Sequence, residues 1–174
     1  MDRIALSTVV YAPREEVFDL LLEFPRYTRY SEYLTDVERD GDGGAGTDYR
    51  LRFAWWRLSY TVHSAVTAVE RPSRIEWRLT RHLDAEGFWA TTPADPPAGE
   101  SAATRIRFEV SFDPHSAEPD AVSLPRFVSL DAVVDRVRPV IVDEAERVVE
   151  RAVADVEGRR RDVEVVYHDR PDTV

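Results

Sequence analysis

The side chains that usually carry chemistry are few in this chain and widely spaced. Its histidines are His63, His82, His115 and His168. No two of them share a helical turn and no His-Glu-x-x-His occurs, so no metal site is expected. Cysteine is absent, which removes disulfides, thiol nucleophiles and Cys-ligated zinc. No Gly-x-Ser-x-Gly marks a serine nucleophile. His63 alternates with Thr61 and Ala65 and should face outward. His82 sits beside an expected turn, where a general base would need a partner that the neighbouring sequence does not supply. The stretch GDGGAGT carries Gly41, Gly43, Gly44 and Gly46, whose backbone N–H groups suit a phosphate. It lacks the Gly-Lys-Ser/Thr ending of a P-loop, and no helix follows it. It is read as a tight turn needing positive φ, or as a gate at the mouth of a cavity.

The elements that would position a site follow from periodicity. RIALSTVVY alternates as a first strand, and APREEVFDLLLEF is a helix. Pro13 suits its start, Glu15 and Glu16 favour the dipole, and Val17, Leu20, Leu21 and Phe24 form one apolar face. RYTRYSEYL is a short second helix. A meander of strands follows: a short one from Thr35, then DYRLRFAW, RLSYTVHSAVTAVE, RIEWRLT, EGFWATT and TRIRFEVSF. The period then becomes helical. Pro139 interrupts that pattern, which resumes through VIVDEAERVVERAVADVEG and stops at Gly158. About seven strands with one apolar face need a cover, and the last helix is the one element long enough. The expected fold is α+β: a strongly curved antiparallel sheet gripping a long C-terminal helix, with two short helices at one end. Residues 1–158 form one domain and 159–174 a tail containing a strand-like VEVVY.

Parity along the strands selects an inner face. Tyr49, Leu51, Phe53 and Trp55 share one side, with Tyr60, Val62, Trp77, Phe108 and Phe112 in phase. Trp56 falls on the other side or in the hairpin bend. The helix offers a small-residue stripe that includes Ile141, Ala145 and Val148. Large aromatics opposite small helix residues leave room for a cavity, the other reading being that they fill it as core. Tyr49, Tyr60 and Ser64 are the polar groups with inward parity. The opposite sheet face is rich in arginine: Arg50, Arg52, Arg74, Arg78, Arg105 and Arg107.

The 174 residues bound the chain to one domain with a sizeable core. No apolar run approaches a membrane span, and no signal peptide is seen, so a cytoplasmic chain with no stable membrane insertion is expected. Net charge is −10, and all 23 basic residues are arginine, with no Lys, Asn or Gln. That composition fits a GC-rich genome and a high-salt host, codon bias alone being the other reading. The acidity argues against nucleic acid as a partner through bulk charge.

The segment VVYAPREEVFDLLLEFPRYTRYSEYLTDVE resembles the opening of the START/polyketide cyclase superfamily (SRPBCC), with the birch-pollen-allergen-like helix-grip fold. GDGGAGT is similar to that superfamily's glycine-rich loop, RLSYTVHSAVTAVERPSRIEW to its next hairpin, and TRIRFEVSF before a long helix completes the pattern. FPRYTRYSEYL and RPVIVDEAERVVERAV look closest to polyketide cyclase/dehydrase-like and coenzyme-Q-binding START proteins. The resemblance implies a hydrophobic cavity between sheet and helix that holds a lipid, an isoprenoid quinone or a polyketide-like molecule. Three readings stay open. The chain is a non-enzymatic binding protein with no cofactor; or a cyclase or dehydratase using an inward polar group; or a protein-interaction module using Arg50, Arg52, Arg105 and Arg107.

Overall fold

Alternation builds the sheet, and one helix stripe covers part of it. In a computed structural model, residues 1–55, 57–116, 118, 122–123 and 130–170 are described, except for side chains at 114, 122–123 and 130–142. Trp56, expected on the other side or in the hairpin bend, lies outside the described residues. The order is β1 (Asp2–Val10), α1 (Arg14–Leu22), a 3-10 helix (Phe24–Arg29), β2 (Leu34–Asp40), β3 (Asp48–Trp55), β4 (Leu58–Glu70), β5 (Arg74–Leu79), β6 (Ala85–Ala94) and β7 (Ala103–Phe112). A second 3-10 turn (Pro114–Ser116), β8 (Val122–Ser123), α2 (Leu130–Glu157) and β9 (Val166–Asp169) follow.

The strands form one curved antiparallel sheet in the order β2-β3-β4-β5-β6-β7-β1-β9, with β8 paired to β4. The seven expected strands are present, and two more join them. The tail's VYHD pairs as β9 with the free edge of β1, where Ser7 lies opposite Val166. An unpaired edge is a liability that an added strand removes. The helix α2 runs unbroken through Pro139, where an interruption was expected. A proline removes one backbone bond, and bonded turns on either side of it suffice to carry a helix through.

The register fixes two ends of the sheet. At one end lie the β3–β4 and β5–β6 connections and the end of β7. At the other lie the glycine-rich loop, the β4–β5 turn and α1. The core sits at the second end: Val10, Val17, Phe18, Phe24, Tyr49, Val66, Ile75, Ile106 and Val153 form one buried cluster. Val149 and Val156 pack against it from α2. Arg14 ties α1 to β6, donating to the Thr91 hydroxyl at 3.1 Å and its carbonyl at 2.6 Å.

Polar contacts hold the same half of α2. Arg151 donates to the Tyr30 carbonyl at 2.6 Å. The Glu144 carboxylate accepts from the Glu32 N–H at 2.7 Å. Tyr30 donates its hydroxyl proton to Asp155, which Arg26 also meets at 2.9 Å. The Tyr30 hydrogen bond, aided by Arg26, holds the Asp155 carboxyl below its usual range, and burial pushes the Tyr30 hydroxyl up to about 12. Arg3 and Arg107 likewise lower Glu109 on the outer face. A carboxyl with a depressed folded-state pKa stabilises above the ordinary range near about 4 and loses that contribution as pH falls through its folded value. Melts followed by circular dichroism should therefore show a steady midpoint from neutral pH down to about 5 and a fall below about 4. Asp155→Asn should make that fall shallower, and an unchanged profile would mean that the clamp contributes nothing to acid stability.

Candidate functional site

The half of the sheet away from the core carries the aromatic side chains. Phe53 lies opposite Tyr60 and Leu51 opposite Val62 across β3 and β4. Trp77 on β5 lies opposite Gly87 on β6, which lies opposite Val110 on β7. With no side chain at Gly87, the Trp77 ring reaches across β6 to stack on Phe108, centroids 6.1 Å apart and planes at 14°. Trp89 meets the same Phe108 ring at 4.5 Å. Leu51, Phe53, Trp55, Tyr60, Val62, Trp77, Phe108 and Phe112 are all half-buried. Only Leu51 of these packs against the buried core cluster. These half-buried side chains form a candidate groove on the inner sheet face.

Not every expected lining residue lies in this groove. Tyr49 is 1% exposed and sits in the core, edge-on to Phe24 at 4.8 Å. Ala145 is exposed and Val148 half-buried, while the Ile141 side chain lies outside those described. The described part of α2 thus closes on the sheet from Val149 onward. The loop with Gly41, Gly43, Gly44 and Gly46 lies at the core end, opposite the aromatic half. Its amides are used internally: Gly43 donates to the Thr47 hydroxyl at 2.9 Å, Gly44 to Asp42 at 2.8 Å and Gly46 to the Val66 carbonyl at 2.8 Å. A Cβ at Gly41 would stand 2.7 Å from the Thr47 hydroxyl, so the tight turn needs glycine there.

Among the polar groups with inward parity, Ser64 is buried and donates to the Arg78 carbonyl at 3.2 Å. Tyr60 remains at the groove, with burial raising its pKa. Trp77 adds a buried indole N–H that has no acceptor among the described residues. His63 pairs with Arg50 on the outer face, and burial, with Arg81, His82 and Arg50 nearby, lowers its pKa. His82 adopts φ 68° and meets the Glu118 carboxylate at 2.7 Å. Among the described residues, no group of three or more acidic or imidazole side chains could hold a metal, and no helix is long and apolar enough to cross a membrane.

On the outer face, Arg50 pairs with Glu38, Arg74 with Glu76 at 2.7 Å and Arg107 with Glu109 at 3.1 Å. Arg74 also lies 3.6 Å above the Phe88 ring. Arg52 and Arg105 are exposed and form no ion pair among the described residues. The pairing is that of a solvated sheet face.

Gly87 and Trp89 were absent from the expected site. A glycine inside an alternating strand signals close approach of another group, and EGFWATT contains that signal. A Cβ at Gly87 would stand 2.4 Å from the Glu109 carbonyl oxygen and 2.6 Å from the Trp77 ring. Gly87→Ala should cost on the order of 1–3 kcal/mol and unstack Trp77 from Phe108. Denaturant melts and near-ultraviolet circular dichroism check both effects, and an unperturbed aromatic spectrum would refute the contact.

Comparison with known proteins supplies the wider setting. A family model described as polyketide cyclase/dehydrase and lipid transport matches residues 1–153. Among solved structures, a START superfamily protein from Mycobacterium smegmatis is 16% identical with a TM-score of 0.59, the alignment covering 91% of this chain and 99% of that one. The Zhui aromatase/cyclase from Streptomyces sp. R1128 is 16% identical with a TM-score of 0.62, covering 89% and 93%. The di-domain StfQ from the steffimycin biosynthetic pathway is 13% identical with a TM-score of 0.56, covering 90% of this chain and 51% of that one. At these identities the likeness is one of fold. No curated protein matches the chain.

Proposed function

We propose, for a chain that belongs to the polyketide cyclase/dehydrase and lipid transport family, that it binds a hydrophobic small molecule between the aromatic half of the sheet and α2. The observation that carries this reading is the half-buried set Phe53, Trp55, Tyr60, Trp77, Phe108 and Phe112, on the inner face but outside the core cluster. Stacked, flat rings favour a flat apolar ligand, such as a quinone or a polyketide-like molecule, over a bare alkyl chain. The carrier reading is preferred to an enzyme. The groups that line the described groove are aromatic and aliphatic, with the Tyr60 hydroxyl and the Trp77 indole N–H as its polar points.

The likeness to the Zhui aromatase/cyclase favours one second reading, cyclisation or dehydration of a polyketide-like substrate. Tyr60 would then serve as a hydrogen-bond donor, its hydroxyl standing at the groove with burial favouring the protonated form. Turnover that Tyr60→Phe abolishes would establish that reading over the carrier.

The groove is tested by titrating the protein with menadione, a soluble quinone, and following the quenching of tryptophan emission. Trp55→Ala and Trp77→Ala should each weaken binding about tenfold or more. Each should also cost less than the roughly 3 kcal/mol or more of truncating a sealed core aromatic. A full core penalty with unchanged quenching would mean that these rings fill a closed core.

A further inference from the structure

Four arginines converge beside the C-terminal end of α2, in a chain whose net charge is −10. They surround an open hollow of about 560 Å³ lined by Arg29, Tyr30, Arg151, Asp155, Arg159 and Arg160. Gly158 shapes it. Its φ of +74° turns the chain after the last helical residue, and its N–H donates to the Ala154 carbonyl at 2.9 Å. The three arginines that follow then separate. Arg161 turns away, gripping Glu157 at 2.7 Å, donating to the Val9 carbonyl at 2.7 Å and stacking 3.9 Å above the Tyr11 ring. Arg159 and Arg160 stay in the hollow.

The acids around the hollow are already engaged. Asp155 is held by the Tyr30 hydroxyl and by Arg26. Glu32 meets Arg151 at 3.0 Å, Glu144 meets it at 3.7 Å, and Glu100 pairs with Arg159. Arg29 and Arg160 form no close ion pair among the described residues, although the Arg29 charge helps to lower the Asp155 carboxyl. The buried Nε–H of Arg26, whose other arm holds Asp155, lacks an acceptor among the described residues. Compensating a helix C-terminus takes a cation in the last turn; that need does not explain two guanidinium groups without a close carboxylate lining one concavity. Guanidinium forks match the paired oxygens of a phosphate.

We propose that this hollow binds a dianionic phosphate group, held chiefly by Arg29 and Arg160 with Arg151 and Arg159 at its walls. It is separate from the aromatic groove, because it lies outside the clamped end of α2, so both sites can be filled at once.

The test is calorimetric titration with sodium phosphate against sodium chloride of matched ionic strength. Phosphate should bind saturably, and Arg29→Ser with Arg160→Ser should weaken it roughly tenfold or more. Arg52→Ser with Arg105→Ser removes the same charge from the outer sheet face and should leave binding unchanged. Equal weakening by both pairs, or no saturable binding to the unaltered protein, would overturn the proposal. Two further arms separate the sources of the phosphate. Capture by phosphatidic acid vesicles that Arg29→Ser with Arg160→Ser abolishes would identify a lipid headgroup. Binding of glycerol 3-phosphate without vesicle capture would identify a soluble phosphomonoester.

Discussion

One helix has to cover the apolar face of a long curved sheet, and its C-terminal half, where side chains are described, is fastened to the rest of the fold. Val149, Val153 and Val156 enter the core with α1 and the far ends of the strands. Around them, Arg151, Asp155 and Glu144 bind the segment between α1 and β2 through its backbone, through Tyr30 and through Arg26. Glu157 and Arg161 bind the end of β1. Each contact lies in or just beyond the last four turns of α2. The exposed Ala145 marks where the described helix stops pressing on the sheet.

The inner face of the sheet holds two environments built from the same strands. At the clamped end, the alternating residues are sealed, as Tyr49, Val66, Ile75 and Ile106 show. At the other end, most residues of identical parity stay half-buried, and those are mostly aromatic, while Leu58 and Ala85 are buried. Gly87 lets Trp77 lie across β6 onto Phe108, so the rings form a shelf instead of filling a cavity independently. A fold that seals one part of its core can remain stable while another part stays half-buried, because stability is not uniform across a structure.

Much of this was legible in the sequence, for physical reasons that differ by element. Period-2 alternation in DYRLRFAW and TRIRFEVSF identifies strands and their inner residues, because register and face are the same fact in a strand. The apolar spacing of Val17, Leu20 and Leu21 identifies α1, and all three are buried. The depth of each residue along the sheet was not legible. Tyr49 and Phe53 have the same parity, and only the placement of α1 and α2 separates core from groove. The end of the sheet that carries the glycine-rich loop was likewise unreadable until the meander was counted against α1. The pairing of the tail with β1 depends on an edge that only the assembled sheet reveals.

The central claim is that the aromatic half of the sheet is a ligand groove. The most direct measurement is native mass spectrometry of the protein purified from its own host, before and after extraction with organic solvent. The account predicts an added mass of one apolar molecule that extraction removes and that the host's own lipid extract restores. A protein that leaves its host at its bare mass, and gains none after incubation with that extract, would contradict it.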